Sequence, residues 1–412
     1  MDPDLLTDRP TNVPADRLID FDLYNPPGVE HGFHEAWLKL HAPGIPDLVW
    51  TPHNGGHWMA TRGEMIAQVF ADYERFSCRV MLVPKSVGEQ HQMLPVVLDP
   101  PAHRPYRLLL NTSLAPKIVS GMEGTIRRLA GALIEQVRAA GQCNFTTAYA
   151  EILPVQIFMS MVNLPQADVS KIKYWTDQIV HPDGSMSYRD AKQHLYDYLE
   201  PHIDVRYGGD GEDMLSRIIN GKVDGRALTK SEMLSLCMQM LLGGLDTVVN
   251  FLGFVLLFLA RNPGHRRELI ADPALIPSAV EELLRRFPVV SLAREVRNDI
   301  EYDGVQLRKG DMVAIPTPLV GTDERLNPDA LTVNFRRSSS EHATFGNGPH
   351  LCPGARLART EIRITLEEWL VRIPEFEIAP GAEIRFRGGL VGVVDGLPLV
   401  WDVATTRPKA AQ

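Results

Sequence analysis

The chain has 412 residues, enough for two ordinary domains or one large one, and its 44% hydrophobic and 23% charged residues are those of a soluble globular protein. A net charge of −9 argues against broad nucleic-acid binding. Four scattered cysteines (Cys78, Cys143, Cys237, Cys352) form no C-x-x-C pair, which argues against a disulfide framework or a zinc site and suits a reducing compartment.

The opening, Met1-Asp2-Pro3-Asp4, is acidic and polar, so no secretion signal is expected and the predicted location is cytoplasmic. Residues 1–30 are rich in Pro and Asp and are expected to run over the surface. A helical pattern covers 31–40. Strands at 48–51 and 57–60 follow, joined by Asn54-Gly55-Gly56, a strong hairpin signal. A helix is predicted near 62–70, and 77–98 reads as a long loop of the functional kind. After Asp99-Pro100-Pro101 the chain turns helical, with predicted helices at 102–111, 115–138, 147–163, 166–180, 188–206, 212–219, 229–261, 264–271 and 276–287. Short strands are expected from 299 to 320, a helix from 354 to 373, and strands again over the last 30 residues. The fold class is therefore mainly α with small β-sheets. The helix-rich core lies at about 102–287 and 354–373, the β-rich parts at about 46–61, 299–320 and 380–402, and no linker divides 1–412, which reads as one domain.

Met238 to Ala260 is apolar and long enough to cross a membrane. It contains Gln239, Asp246 and Asn250 with Gly243-Gly244, and a mid-bilayer Asp is costly, so a buried central helix is expected instead. Two adjacent glycines weaken a helix interior by roughly 1 kcal/mol each relative to Ala, so they call for a reason. Thr247 lies four residues after Gly243, where its hydroxyl is placed to bond that carbonyl and open the helix locally. A ligand approaching there meets an acid and an alcohol, Asp246 and Thr247; a simple helix-packing glycine pair is an equally good reading of these residues alone.

Cys352 sits in a loop full of Gly and Pro, just before a predicted helix. Such a loop can aim amide N–H groups at the sulfur, and the helix dipole favours the thiolate. A hydrogen-bonded thiolate is a good axial ligand for haem iron. The pattern Phe-x-x-Gly-x-x-x-Cys-x-Gly, carried by Phe345, Gly348, Cys352 and Gly354, resembles the haem-binding loop of the cytochromes P450, the haem-thiolate monooxygenases. The resemblance runs over nearly the whole chain and is closest to the soluble bacterial camphor-hydroxylase type, through stretches such as Pro46-Asp47-Leu48-Val49-Trp50, Pro182-Asp183-Gly184-Ser185-Met186, Gly243 to Asn250 and Leu397 to Asp402.

The resemblance implies a cytochrome P450 fold with haem b buried between the central helix and the Cys-loop helix. It makes Cys352 the axial ligand of the haem iron and gives Asp246 and Thr247 the handling of protons and dioxygen. Glu282-x-x-Arg285, which on its own reads as an exposed helical ion pair, matches a structural motif of the family, with Arg337 as its third member. Arg107, Arg294, His350 and His103 are the expected partners of the haem propionates. His91 stands where the camphor hydroxylases have a tyrosine that donates to the substrate ketone; Leu82, Met93, Val96 and Gln239 also depart from the expected pocket, and Leu242, Gly243, Val290, Leu390 and Val391 complete its lining.

The implied reaction is hydroxylation of a small apolar terpenoid, an ionone-type norisoprenoid or camphor-like ketone, with O2 and electrons from a two-iron ferredoxin served by a flavin reductase. No nucleic-acid or membrane partner is expected. A basic face near Cys352, including Arg104 and Arg107, is the expected ferredoxin dock. A haem-based ligand or gas sensor and a peroxide-driven peroxygenase are the alternatives. Dinucleotide-binding, zinc-protease and G-x-S-x-G patterns are incomplete or absent.

Overall fold

The computed structural model describes residues 6–181 and 184–407. The acidic opening Met1-Asp2-Pro3-Asp4 and the pair Pro182-Asp183 of one quoted stretch lie outside the described residues. The hairpin forms where the Asn-Gly-Gly signal placed it, with Leu48 opposite Ala60 and Thr51 opposite His57, and Asn54, Gly55 and Gly56 all at positive φ. Its second strand pairs in parallel with Met312–Pro316, which runs antiparallel to Ser291–Val296, whose far edge takes Phe76–Ser77. The last two strands fall outside the expected β regions. Ser291–Val296 is buried almost throughout, so it lacks the polar–apolar alternation that marks a half-exposed strand. Phe76–Ser77 has only two residues and carries no periodicity at all.

Phe386–Arg387 pairs with Val393–Val394 and Pro398–Val400 forms within the expected β-rich part, but the neighbours of Pro398–Val400, Glu377–Ile378 and Gln142–Asn144, are short strands outside it. The loop over 77–98 contains a single short helix, Lys85–Gly88. The helix expected at 147–163 divides into a π-turn at Thr146–Ala150 and an α-helix at Leu153–Met161, with Pro154 at the start of the second piece.

The central helix is also divided. A capping box closes its start, Thr229 accepting from the Glu232 amide while Glu232 accepts from the Thr229 amide. It runs from Lys230 to Gly244, breaks at Leu245-Asp246, and resumes from Thr247 to Arg261. Among the described residues, 230–261 is the one stretch with the length and apolarity of a membrane span, yet 72% of its apolar window is buried inside the protein. It is core.

The helix after Cys352, Ala355–Arg372, packs along Pro116–Arg138 through an ion-pair lattice. Arg127 bonds both Glu367 and Glu368; Arg363 meets Glu123 at 2.8 Å, and Arg372 meets Glu368 at 2.5 Å and Glu135 at 3.1 Å. Glu282 and Arg285 are not an exposed pair. Their side chains are 1% and 0% exposed, and Arg285 donates twice to the Glu282 carboxylate, each at 2.8 Å. Arg337 joins at 3.1 Å, the Asn334 amide at 2.9 Å and the Ser340 hydroxyl at 3.1 Å. Arg285 also donates to the carbonyls of Gly321, Ala330 and Thr332. The charges are thus satisfied from both sides, which is what makes burying them tolerable.

Candidate active site

The Cys352 loop is fixed by its own backbone. The Cys352 amide donates to the Phe345 carbonyl at 2.8 Å, and Leu351 donates to Gly348 at 3.1 Å. Gly348 has φ +67, and a Cβ there would stand 2.8 Å from the Ala71 Cα, so neither the conformation nor the space admits a side chain. The loop delivers Cys352 to a cavity of about 300 Å³ whose wall is overwhelmingly apolar. Burial pushes the Cys352 thiol up; the Gly354 and Ala355 amides and the Arg107 and Arg359 charges pull it down without cancelling the rise.

Four basic side chains gather on the same wall. Arg294 lies mid-strand opposite Val313, its guanidinium 5.2 Å above Phe70, and its Nε is buried without a partner. The rings of His103 and His350 are 4.1 Å apart, and each has a buried, unpartnered Nε2. Burial and the neighbouring cations lower His103 to about 4 and His350 to about 3. Arg107 donates to the Leu351 carbonyl and to Asn111 at 2.8 Å. Among the described residues neither Arg107 nor Arg294 has a carboxylate partner, although the rest of the chain is laced with ion pairs. Arg294 is a buried cation without an anion and Arg107 a half-buried one, which is costly, so this wall suits a negatively charged ligand. A flat apolar macrocycle carrying two carboxylates, with an iron beside Cys352, fits the donor set. Haem meets each of these needs.

Across the cavity stands the broken central helix. Gly244 is required by packing, because a Cβ would fall 2.5 Å from the Phe158 ring; a Cβ on Gly243 would meet nothing within 4 Å. Gly243, Gly244 and Thr247 all line the cavity. The expected bond from Thr247 to the Gly243 carbonyl is not formed among the described residues. Thr247 opens the second helix, and the break at Leu245-Asp246 removes the single-turn geometry that bond needs.

Asp246 is buried and does not line the cavity; its carboxylate meets His181 Nε2 at 2.9 Å and accepts from Asn250 at 3.0 Å. Burial raises its carboxyl, but the His181 bond, the Lys173 charge and Asn250 together bring it below the ordinary value. Beyond His181, Lys173 bonds Asp177 at 2.9 Å. On the helix after Cys352, Glu361 is buried against the cavity, and burial pushes its carboxyl up to about 8. The sequence reading missed His181, Asn250 and Glu361. Only Asn250, four residues beyond Asp246, carried a local signal.

Of the expected pocket residues, Val96, Gln239, Gly243 and Val290 line the cavity, with Arg107, Arg294, Phe345, His350, Cys352 and Gly354. Leu82, Met93, Leu242, Leu390 and Val391 are not part of that lining, although Val391 bridges to Val290. His103 and Gly348 also stand outside it. So does His91, which is buried, held neutral by a shift to about 4, and bonded through Nδ1 to the Tyr188 hydroxyl at 3.0 Å. The cavity also takes in Met81, Phe158, Met240, Val248, Leu292 and Leu357, which the sequence reading does not single out.

The cytochrome P450 family model matches residues 186–385. A protein of Sinorhizobium fredii described as "Probable cytochrome P450 127A1" is 33% identical over 401 residues, covering 95% of this chain and 96% of its own. The crystal structure of CYP101J2 is 48% identical with a TM-score of 0.90, covering 96% of this chain and all of that one. That of CYP101C1 is 39% identical with a TM-score of 0.88 over the same shares. With a cysteine loop, a cation cluster and a broken central helix around one cavity, and with this likeness over nearly its whole length, the chain belongs to the cytochrome P450 family and is a haem b monooxygenase.

Proposed function

We propose that this monooxygenase hydroxylates a small apolar terpenoid, an ionone-type norisoprenoid or camphor-like ketone, as a single-domain cytoplasmic enzyme fed by a two-iron ferredoxin and its flavin reductase. The observation that carries the reading is the pairing of Cys352 with a small, apolar cavity lined by Arg107, Arg294 and His350, with His103 packed against His350 and no ion pair at either arginine among the described residues. When bound, haem supplies dioxygen activation and the oxidising power for an unactivated C–H bond.

The residues act around it. Cys352 offers Sγ as the iron's axial ligand, with the Gly354 and Ala355 amides sharing its charge. Arg107, Arg294, His103 and His350 offer donors to the propionates, Arg294 and the two histidines through nitrogens that have no other partner. Phe345, Gly348 and Gly354 shape the loop that presents the sulfur. Asp246 carries a proton at Oδ2, received from His181 Nε2 at 2.9 Å, and passes it toward the Thr247 hydroxyl on the cavity wall. Val96, Gln239, Gly243 and Val290 enclose the substrate, with Leu82, Met93, Leu242, Leu390, Val391 and His91 outside the lining. A relay of this kind is superfluous in a sensor that only binds, which disfavours that alternative.

For the electron partner, Arg107 ties the helix His103–Ser113 to the Cys352 loop, and Arg104, Leu108, Leu351 and Arg356 are exposed around that junction. A small basic and apolar face suits an acidic ferredoxin despite the acidic whole.

The test is the absorption spectrum of the dithionite-reduced protein under carbon monoxide. A strongly red-shifted Soret band, lost in Cys352→His, is expected; a band typical of histidine-ligated haem in folded wild-type protein refutes the ligand assignment. Terpenoid ketones are then screened for the substrate-induced spin shift, and turnover is compared with ferredoxin and O2 against peroxide.

A further inference from the structure

We propose that Gln239, not His91, is the hydrogen-bonding anchor that selects an oxygen-bearing substrate; this rests on the substrate class proposed above. Arg107, Arg294 and His350 are the donors assigned to the propionates, and Cys352 is assigned to the iron. The Thr317 hydroxyl donates to the Val290 carbonyl at 2.6 Å, and that of Thr344 to the Leu284 carbonyl at 2.6 Å. Glu361 projects from the helix behind Cys352, and Thr247 belongs to the proton path. That leaves Gln239. It lines the cavity, and its Oε1 is buried without a partner.

A buried, unpaired amide oxygen costs about 1–3 kcal/mol relative to a paired one, so an apolar side chain would serve better in a site for hydrocarbons. The amide can present either its oxygen or, turned over, its two N–H donors, so it suits a carbonyl, ether or hydroxyl on the ligand. His91 lacks this freedom, since it is outside the lining and Nδ1 is committed to Tyr188.

The spacing gives the anchor a second consequence. Gln239 and Gly243 lie four residues apart on one face of the helix Lys230–Gly244, and Thr247 lines the same cavity beyond the break at Leu245-Asp246. A substrate held by its oxygen at Gln239 lies against Gly243 in a fixed orientation, which narrows the set of its carbons open to oxidation.

The test uses matched probes on the haem-loaded protein: camphor against camphane, and β-ionone against its deoxygenated hydrocarbon, titrated by the spin-state change. Gln239→Leu is expected to weaken the ketones about five- to tenfold, the weight of one hydrogen bond, while shifting the hydrocarbons less than about twofold. Gln239→Asn should fall between. Any ketone still turned over by Gln239→Leu should give a broader mixture of hydroxylation positions. Equal effects on ketone and hydrocarbon would overturn the proposal, as would a ketone loss in His91→Phe but not in Gln239→Leu. If all probes fail to bind a wild type with the red-shifted carbon monoxide band, the substrate class and this anchor fall together. The haem-thiolate reading would stand.

Discussion

The two walls of the cavity differ in how fully their polar groups are committed. Behind Cys352, the helix Ala355–Arg372 is locked to its neighbours by ion pairs, and Glu282 has its charge shared among Arg285, Arg337, Ser340 and a backbone amide. Opposite it, the central helix breaks, Gln239 has an unpaired amide oxygen, and Asp246 leans on a titratable partner, His181. The first wall holds geometry through the ion pairs of the helix Ala355–Arg372 and the shared charge of Glu282. The second keeps groups available for a ligand and for protons, at some cost in stability. Precision and reactivity are thus assigned to different segments.

The strongest way to break this contrast is at the sulfur. Cys352→Ser should abolish the red-shifted carbon monoxide band and O2-dependent turnover together, as read by difference spectroscopy and product analysis. The next largest effect tests the locked wall: Glu282→Gln leaves Arg285 buried and uncompensated, and should cost about 3–5 kcal/mol in urea unfolding and lower the fraction of haem-loaded protein. A loss below about 1 kcal/mol would mean that the wall is not held by this network.

On the open wall the expected losses are catalytic. Asp246→Asn should slow product formation on the order of a hundredfold, with the carbon monoxide band and substrate affinity unchanged. If affinity falls as much as rate, Asp246 shapes the pocket instead of carrying a proton.

The smallest effect sharpens the boundary between the walls, at Glu361. Its folded value of about 8 lies above the ordinary carboxyl value of 4.5, so between those pH values the folded state holds a proton that the unfolded state has released. Stability should therefore fall as pH rises through that window, by at most about 1.4 kcal/mol per pH unit from this one group. Glu361→Gln should flatten the dependence, so the thermal midpoints of variant and wild type should diverge more at pH 8 than at pH 5. A parallel pair of curves would mean that Glu361 finds a partner in solution.

Much of the frame was legible because it is written locally. The hairpin at Asn54-Gly55-Gly56, the glycine-rich loop of Cys352, the i, i+3 pair Glu282 and Arg285, and the adjacent Asp246 and Thr247 are each set by a few neighbouring residues. The Cys-loop pattern carried the resemblance, and through it the fold class and the haem. The strand Ser291–Val296 was not legible, since burial on both faces removes alternation, and neither was the helix break at Leu245-Asp246 in an otherwise unbroken apolar run.

What the sequence by itself determined is the set of parts: a cysteine loop, an acid–alcohol pair on an apolar helix, and scattered basic residues of the right kind. Tertiary structure decided which groups are free. It brought His181 to Asp246 across 65 positions, gathered His103, Arg107, Arg294 and His350 on one wall, turned His91 toward Tyr188, and left Gln239 facing the cavity. The reason is physical. Commitment of a polar side chain, and the burial that shifts its proton affinity, depend on contacts between segments far apart in the chain, and no local pattern encodes them.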